Sequence, residues 1–282
     1  VLRILDRSDT AVELVELGMP QDLLASYENV VTQPHGMVLI TGPTGSGKTT
    51  TLYATLEKIS NEKQKIITVE DPVEYQLDGI TQIQANASIG LGFAEGLRSI
   101  VRQDPDILMI GEIRDHETAE IAIESALTGH LVFSTLHTND AAGAVTRLQD
   151  MGVEGYLISS SLLAIQAQRL VRRVCTECAE THPLSLDEAR VLDIDSAECA
   201  EIRRGKGCER CGQTGYRGRV GLYELLLMSD EIRHQIASGA DANSIRDTAI
   251  KGGMRTLRQD ALEKLRAGLT TPEEVVRVTR AV

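Results

Sequence analysis

The chain has 282 residues, and its 41 acidic against 29 basic side chains give a formal net charge of −12. With 42% hydrophobic and 25% charged residues, the composition supports a packed core and excludes wholesale disorder. The acidic balance argues against a surface that grips nucleic acid throughout, and no apolar run approaches the about 18 residues that a membrane span needs.

The amino-terminal segment VLRILD reads like the interior of a strand, and it begins at Val1 without an initiator methionine or a secretion signal. We therefore expect the chain to be part of a longer protein. The five cysteines are an odd number in a chain with no secretion signal, which favours reduced thiols and a cytoplasmic location.

Short apolar runs alternate with amphipathic segments over the first two-thirds of the chain, a pattern typical of a parallel α/β sheet. The predicted strands are Met37–Thr41, Ile66–Val69, Ile107–Ile110 and His130–Thr135. The predicted helices are Thr49–Ile59, Phe93–Arg102, Glu117–Leu127, Ala141–Gln149 and a longer one over Leu157–Val171. From Val220 onward the periodicity predicts a helical region with helices over Leu222–Leu227, Asp230–Ser238, Ser244–Lys251, Thr256–Ala267 and Pro272–Thr279.

A glycine-rich loop follows the first predicted strand and opens the first predicted helix. It fits the phosphate-loop pattern G-x-x-x-x-G-K-[ST] in that required context. Its residues are Gly42, Pro43, Thr44, Gly45, Ser46, Gly47, Lys48, Thr49 and Thr50. Backbone N–H groups of such a loop point at phosphate oxygens, the lysine adds positive charge for the outer phosphates, and the Thr49 hydroxyl suits Mg²⁺.

Acidic side chains end two later strands, at Glu70 and at Glu112. Because parallel strands end at the same sheet edge as the phosphate loop, we expect both acids to face it. Glu70 is the preferred candidate for polarising the attacking water and Glu112 for Mg²⁺ or its water shell, but the two roles could be exchanged. Gly111 stands where an aspartate commonly precedes such an acid.

A histidine lies at each end of the predicted strand His130–Thr135. His137, among polar residues at the carboxyl end, is the better candidate for sensing the γ-phosphate or bracing a catalytic acid, and a structural role is the alternative.

Two C-x-x-C pairs lie farther along the chain, Cys175 with Cys178 and Cys208 with Cys211. Four thiolates in two such turns match a closed, tetrahedral zinc site, which we expect to be structural. Cys199 has no partner at this spacing and is expected to be a free or buried thiol.

A basic cluster accompanies the cysteines: Arg203, Arg204, Lys206, Arg210, Arg217 and Arg219. Tyr216 is the one aromatic residue among them, and a single ring offers little surface for stacking on bases. Nucleic acid is therefore not the expected partner. A solvated face, or a docking surface for a membrane partner or anionic phospholipid, fits better.

These motifs resemble the hexameric ATPases of type II secretion and type IV pilus assembly. The resemblance rests on GPTGSGKTT, ITVEDPVE, ILMIGEIRD, GHLVFSTLHTN and the paired C-x-x-C, and LQDMGVEGYLISSSLLAIQAQRLVRR is closer to the type II secretion branch. It implies an α/β fold: a RecA-like P-loop NTPase core over residues 11–171, a tetracysteine zinc module over 172–219 and a C-terminal helical region over 220–282, with residues 1–10 the tail of an amino-terminal domain. Arg3 in that tail corresponds to a basic residue of the family thought to reach nucleotide phosphates.

The resemblance implies an ATP hydrolase that works with Mg²⁺ as a homohexamer on inner-membrane secretion platform proteins, peripheral to that membrane. A type IV pilus extension ATPase is the nearest alternative. Other classes are a nucleotide-gated interaction module without significant turnover and a nucleic-acid translocase, which the acidic charge disfavours. A GTPase switch is disfavoured because no N-K-x-D motif follows the phosphate loop.

Overall fold

Wholly apolar runs in the first half of the chain form the interior strands of one sheet. The computed structural model describes residues 12–194 and 201–279. Its strands are β1 Gly36–Thr41, β2 Ile66–Glu70, β3 Thr81–Gln84, β4 Ile107–Ile110, β5 Leu131–Leu136, β6 Leu162–Val174, β7 Ala179–Pro183, β8 Glu201–Gly205 and β9 Tyr216–Leu227.

Helices connect these strands and then close the chain. They are α1 Gln21–Val31, α2 Lys48–Ile59, α3 Phe93–Val101, α4 His116–Leu127, α5 Ala141–Asp150, α6 Gly155–Ser161, α7 Leu186–Leu192, α8 Asp230–Ala237, α9 Ala242–Lys251, α10 Leu257–Arg266 and α11 Pro272–Thr279. Side-chain caps mark several starts: Asp115, for example, accepts from the backbone N of Thr118 at 2.8 Å.

The main sheet has the strand order β3-β2-β4-β5-β1-β6-β9. The first six strands of this order run parallel and β9 is antiparallel to β6. Because the parallel strands share one direction, the loops after β1, β2, β4 and β5 emerge together at the carboxyl edge.

Apolar layers cover both faces of the sheet. One layer packs α3, α4, α5 and the C-terminal helices against residues such as Leu108 and Val132. The other packs α1 and α2 against residues such as Ile40 and Phe133. The interior strands are therefore buried on both faces, as expected of a parallel sheet.

The four predicted strands and most predicted helices are confirmed to within one or two residues at each end. Strand β3 was not predicted. The predicted helix over Leu157–Val171 is wrong, because the short helix α6 ends at Ser161 and the chain continues as the 13-residue strand β6. The predicted helix over Leu222–Leu227 is also wrong, because these residues belong to β9.

The physical reason is pairing across the sheet. Strand β6 lies between β1 and β9 and is buried on both faces, so it shows no two-residue alternation, and its Leu, Ala, Gln and Arg residues favour a helix locally. The hydrogen bonds of two neighbouring strands outweigh that local preference.

The cysteine-bearing segment is inserted between the two antiparallel strands β6 and β9, with the separate hairpin β7–β8 inside it. The boundaries proposed at 171/172 and 219/220 stay predictions, and β6 and β9 each run across one of them. The tail 1–10, Arg3 and Cys199 lie outside the described residues.

No helix in the described ranges combines the length and the apolarity that crossing a bilayer requires.

Candidate functional site

A cleft of about 880 Å³ opens at the carboxyl edge of the parallel strands. One wall is the phosphate-loop sequence from Thr44 to Thr50, and the other is formed by residues that follow β2, β4 and β5. That second wall includes Glu70, Glu112 and His137. The sheet topology therefore brings together the loop, both acids and the histidine that the sequence singled out.

The loop between β1 and α2 has glycines where its backbone adopts positive φ angles. At Gly42, which has φ +151°, an added Cβ would come within 2.5 Å of the backbone oxygen of Gln168. Gly47 lies directly before α2 in the left-handed region, with φ +88°. This conformation aims the amino-terminal end of α2, with its unpaired N–H groups, into the cleft.

Two polar groups in the loop fit a phosphate ligand. The buried hydroxyl of Ser46 has no hydrogen-bond partner among the described residues. Lys48 Nζ donates to the backbone oxygens of Gly42 at 2.8 Å and Pro43 at 3.2 Å, so the ammonium lies across the loop. Burial lowers the pKa of Lys48, and the negative charge of Glu112 opposes this effect. Lys48 can exchange its carbonyl partners for phosphate oxygens, and the Ser46 hydroxyl is available to donate to one.

Mg²⁺ prefers oxygen ligands. Thr49 is exposed in the first turn of α2, and Glu112 lies in the same cleft. A hydroxyl and a carboxylate therefore form a donor set that fits this ion.

Glu70 ends β2 and is only 3% exposed, although it lines the cleft. Its Oε1 accepts from Thr68 Oγ1 at 2.5 Å and from Gln82 Nε2 at 3.1 Å, and its Oε2 accepts from the Tyr53 hydroxyl. A buried carboxylate needs such donors to remain charged. Tyr53 and Gln82 were missed by the sequence reasoning, since they come from α2 and from the unpredicted strand β3.

Glu112 has two basic side chains as neighbours. It forms an ion pair with Arg114, and its Oε2 lies 3.3 Å from Nε2 of His137, which is 48% exposed. His137 thus contacts one of the two acids of the cleft, whereas Nδ1 of His130 contacts the backbone oxygen of Ser125 at 2.9 Å, away from the cleft.

Strand β6 contributes two buried polar residues near the phosphate loop, and both were missed because this segment was predicted to be a helix. Gln168 Nε2 donates to the backbone oxygen of Ser46 at 2.9 Å, and Gln168 Oε1 accepts from Thr51 Oγ1 at 3.0 Å. Arg169, 7% exposed, donates to the backbone oxygen of Asn139 at 2.8 Å. The signal in the sequence was a group of polar residues, Gln166, Gln168 and Arg169, within a largely apolar run.

The four paired cysteines converge, with all four sulfur atoms within 4.8 Å of one another. Sγ of Cys175 lies 3.9 Å from that of Cys208, Cys178 lies 3.9 Å from Cys211, and Cys208 lies 3.6 Å from Cys211. A tetrahedral zinc site with Zn–S bonds of about 2.3 Å requires sulfur atoms about 3.8 Å apart. The group could therefore hold a metal ion of this size.

The surroundings of two of these sulfurs shift their pKa values in opposite directions, and those of Cys211 favour a thiolate. Burial raises the pKa of Cys178 to about 12. Burial acts in the same direction on Cys211, but backbone N–H donors of Cys208 and Gly215, at 3.2 and 3.3 Å from its sulfur, lower its pKa to about 6.

Two members of the predicted basic cluster are neutralised by acids. Arg204 pairs with Glu188 and Glu273, and Lys206 Nζ lies 2.8 Å from Glu180. Arg210, Arg217 and Arg219 are exposed. The positive surface is thus smaller than the sequence alone suggests.

Comparison with known proteins gives consistent results over nearly the whole chain. A family model described as "Type II/IV secretion system protein" matches residues 1–277. The chain is 48% identical over 280 residues to "Type II secretion system ATPase E" of Vibrio cholerae, a match that covers 99% of this chain and 56% of that protein. It is also 49% identical over 278 residues to "Type IV pilus assembly ATPase PilB" of Thermus thermophilus, covering 98% of this chain and 31% of that protein.

Among solved structures, the pilus retraction motor PilT with bound ADP matches with a TM-score of 0.72 and 30% identity, covering 98% of this chain and 69% of that chain. The chain thus spans about half the length of the type II secretion relative, and less of the pilus assembly ATPase.

Proposed function

Because the chain belongs to the type II/IV secretion system protein family, we propose that it is the ATP-hydrolysing part of a motor that powers protein export or pseudopilus assembly through a type II secretion system. The observation that carries this proposal is the single cleft in which Lys48 and the end of α2 face the carboxylates Glu70 and Glu112. A phosphate-binding loop opposite strand-end acids is the arrangement that P-loop hydrolases use.

In the proposed mechanism the loop amides, the Ser46 hydroxyl and Lys48 hold the phosphates of ATP. Thr49 and one of the two acids would hold Mg²⁺, which supplies charge neutralisation of the outer phosphates when it is bound. Glu70 orients the attacking water, and Glu112 is steadied by His137 and Arg114. Arg3 is proposed to reach the phosphates in the assembled protein.

We further propose that the cysteine cluster holds a structural zinc ion, which would fold a segment with little apolar core of its own. The proposed assembly is a homohexamer on the cytoplasmic side of the inner membrane, bound there through platform proteins. Anionic phospholipid is a possible second contact, for which Arg210, Arg217 and Arg219 provide exposed positive charge.

A pilus extension ATPase is the second candidate, because the chain is 49% identical to the Thermus pilus assembly ATPase and 48% identical to the Vibrio type II secretion ATPase. It would use the same cleft and the same chemistry. The two candidates differ in the partner bound, so complementation of type II secretion and of pilus extension distinguishes them.

The substitution Glu112→Gln tests hydrolysis against mere nucleotide binding. We expect the affinity for ATP to stay within about threefold, while phosphate release in single turnover falls about 100-fold or more, because a charged group acting on the reaction is lost. Fluorescent-nucleotide titration and a radiolabelled γ-phosphate assay measure the two quantities.

The matched control is Glu117→Gln on α4, which pairs with Arg98 outside the cleft and should leave both quantities unchanged. If the parent chain binds ATP and releases no phosphate in single turnover, the nucleotide-gated interaction module is the better description.

A further inference from the structure

The hydrogen bonds of Glu70 assign a role to residues that no catalytic motif includes. The carboxylate sits at the end of β2, but its donors come from three places: Tyr53 on α2, Thr68 on β2 itself and Gln82 on β3. A strand-end carboxylate that merely faced solvent would have no need of three protein donors.

The distribution of these bonds over the two oxygens is unequal. Each carboxylate oxygen can accept about two hydrogen bonds. Oε1 accepts two, from Thr68 and Gln82, and is therefore filled. Oε2 accepts one, from Tyr53, so the donors in the described part of the chain leave one position open, on a side chain that lines the cleft.

The donors are themselves fixed. The Tyr53 hydroxyl accepts from the backbone N of Glu74 at 3.2 Å, and the Tyr53 ring packs edge-on against Tyr75 with ring centres 4.6 Å apart. Gln82 also donates to the backbone oxygen of Tyr75 at 3.1 Å and accepts from the backbone N of Leu77 at 2.8 Å. The loop after β2 and the acid are thus held by the same two side chains.

In the hydrogen bond between Tyr53 and Glu70, the tyrosine hydroxyl is the donor. Burial and the neighbouring Glu70 raise the pKa of Tyr53 above its ordinary value. The hydroxyl therefore stays protonated and donates a hydrogen bond to the carboxylate. The Tyr53 hydroxyl therefore holds Oε2 of Glu70 in one orientation.

We propose that Tyr53, Thr68 and Gln82 are positioning residues that fix Glu70 so that one lone pair of Oε2 alone is free to accept a hydrogen bond from the attacking water. This inference rests on the proposed function of the cleft. It deepens that function by assigning the orientation of the water to one atom of Glu70 and to three residues that do not themselves line the cleft.

The test compares single-turnover ATP hydrolysis with ATP affinity in Tyr53→Phe, which removes the hydroxyl and keeps the ring, and in Thr68→Val. We expect each to slow hydrolysis about tenfold or more, since each removes a hydrogen bond to a charged group, and to leave the dissociation constant of ATP within about threefold. Thr68→Ser restores the donor and should recover the parent rate to within about twofold.

The matched control is Tyr27→Phe. Its hydroxyl is also buried and hydrogen-bonded, to Thr55 at 2.8 Å, but it has no contact with Glu70. We expect Tyr27→Phe and Tyr53→Phe to have equal melting temperatures, and only Tyr53→Phe to hydrolyse ATP slowly. This result would show that Tyr53 positions Glu70 and does not act through the general stability of the fold. Gln82→Met, at a half-buried place on an edge strand, supplies the same comparison if the buried variants do not fold, and should also lower the rate without lowering affinity.

Glu70→Gln distinguishes failure of this inference from failure of the proposed function. If Glu70→Gln is inactive while Tyr53→Phe, Thr68→Val and Gln82→Met hydrolyse ATP like the parent, the positioning role is overturned and the function stands. If Glu70→Gln itself hydrolyses ATP at the parent rate, the assignment of Glu70 in the proposed mechanism is wrong.

Discussion

The buried carboxylates of Glu224 and Asp260 each accept hydrogen bonds from more than one element. Glu224 on β9 accepts from the backbone N of Ala141 at 2.9 Å and of Leu257 at 3.2 Å, so one carboxylate caps both α5 and α10. Asp260 accepts from the backbone N of Tyr223 and from Lys264. Burying a charged group costs free energy unless the group is paired or hydrogen-bonded. Here the hydrogen bonds also connect helices to strands.

Glu274 gives a prediction at the scale of one residue. It is 1% exposed on α11, and it accepts from the backbone N of Arg172 at 2.8 Å and from the guanidinium groups of Arg172 and Arg277. Burial alone would raise its pKa, but these donors lower it. A lowered carboxyl pKa stabilises the fold above the pKa of the unfolded chain and loses that effect as pH falls through the folded value.

We therefore expect Glu274→Gln to lower the free energy of unfolding at pH 7 by about 1.5–3 kcal/mol, the range for hydrogen bonds to charged groups. The difference from the parent should shrink as pH falls below the ordinary range of a glutamate. Urea unfolding at several pH values measures it, with Glu273→Gln, on the exposed side of α11, as the control. A deficit that stays constant down to pH 3 would contradict the role of the charge.

At the scale of elements, local sequence signals located most helices and strands. They failed for segments whose structure depends on pairing with distant strands. Capping residues precede the helices α4, α8 and α10, so the start of each helix can be predicted from a few neighbouring residues. Strand β6 offers no such local signal, because its partners β1 and β9 lie far away in the chain. Gln168 and Arg169 were missed for the same reason.

Gln168 gives a prediction at this scale, since it is the link between β6 and the phosphate loop. Gln168→Leu removes the donor to the Ser46 carbonyl and the acceptor for the Thr51 hydroxyl. The phosphate loop would then no longer be held in the conformation that binds phosphate. We expect ATP affinity to fall about tenfold or more, as for one or two lost hydrogen bonds. Titration with a fluorescent ATP analogue measures it.

The control for this experiment is Gln235→Leu on α8, whose amide contacts Thr248 away from the cleft. Equal loss of affinity in both variants would mean that the effect is general, and that the loop does not depend on β6.

At the scale of the whole molecule, the cysteine segment is an insertion that leaves the main sheet intact. Both C-x-x-C turns lie next to the ends of β6 and β9, so the cluster closes the insertion where it leaves the sheet. The cleft lies at the ends of other strands. Loss of metal should accordingly disturb the insertion first and nucleotide binding least.

We expect the purified chain to contain about one zinc ion, and Cys211→Ser to lose it, with faster proteolysis between residues 175 and 215 and ATP affinity within about threefold of the parent. Metal analysis, limited proteolysis and nucleotide titration measure these outcomes. Cys199→Ser is the control and should keep the metal. A metal-free parent chain that resists protease as well as a zinc-loaded one would contradict a structural ion.

The sequence by itself determined the features that depend on neighbouring residues. The phosphate loop with its strand and helix, the acids that end β2 and β4, and the two C-x-x-C turns are each complete within a few residues, because their geometry is set by local backbone conformation. Only the tertiary structure decided that residues 162–174 form a strand, that Tyr53 and Gln82 hold Glu70, and that four sulfurs from two distant turns meet within 4.8 Å. These depend on contacts between segments far apart in the chain, where pairing and burial outweigh local preference.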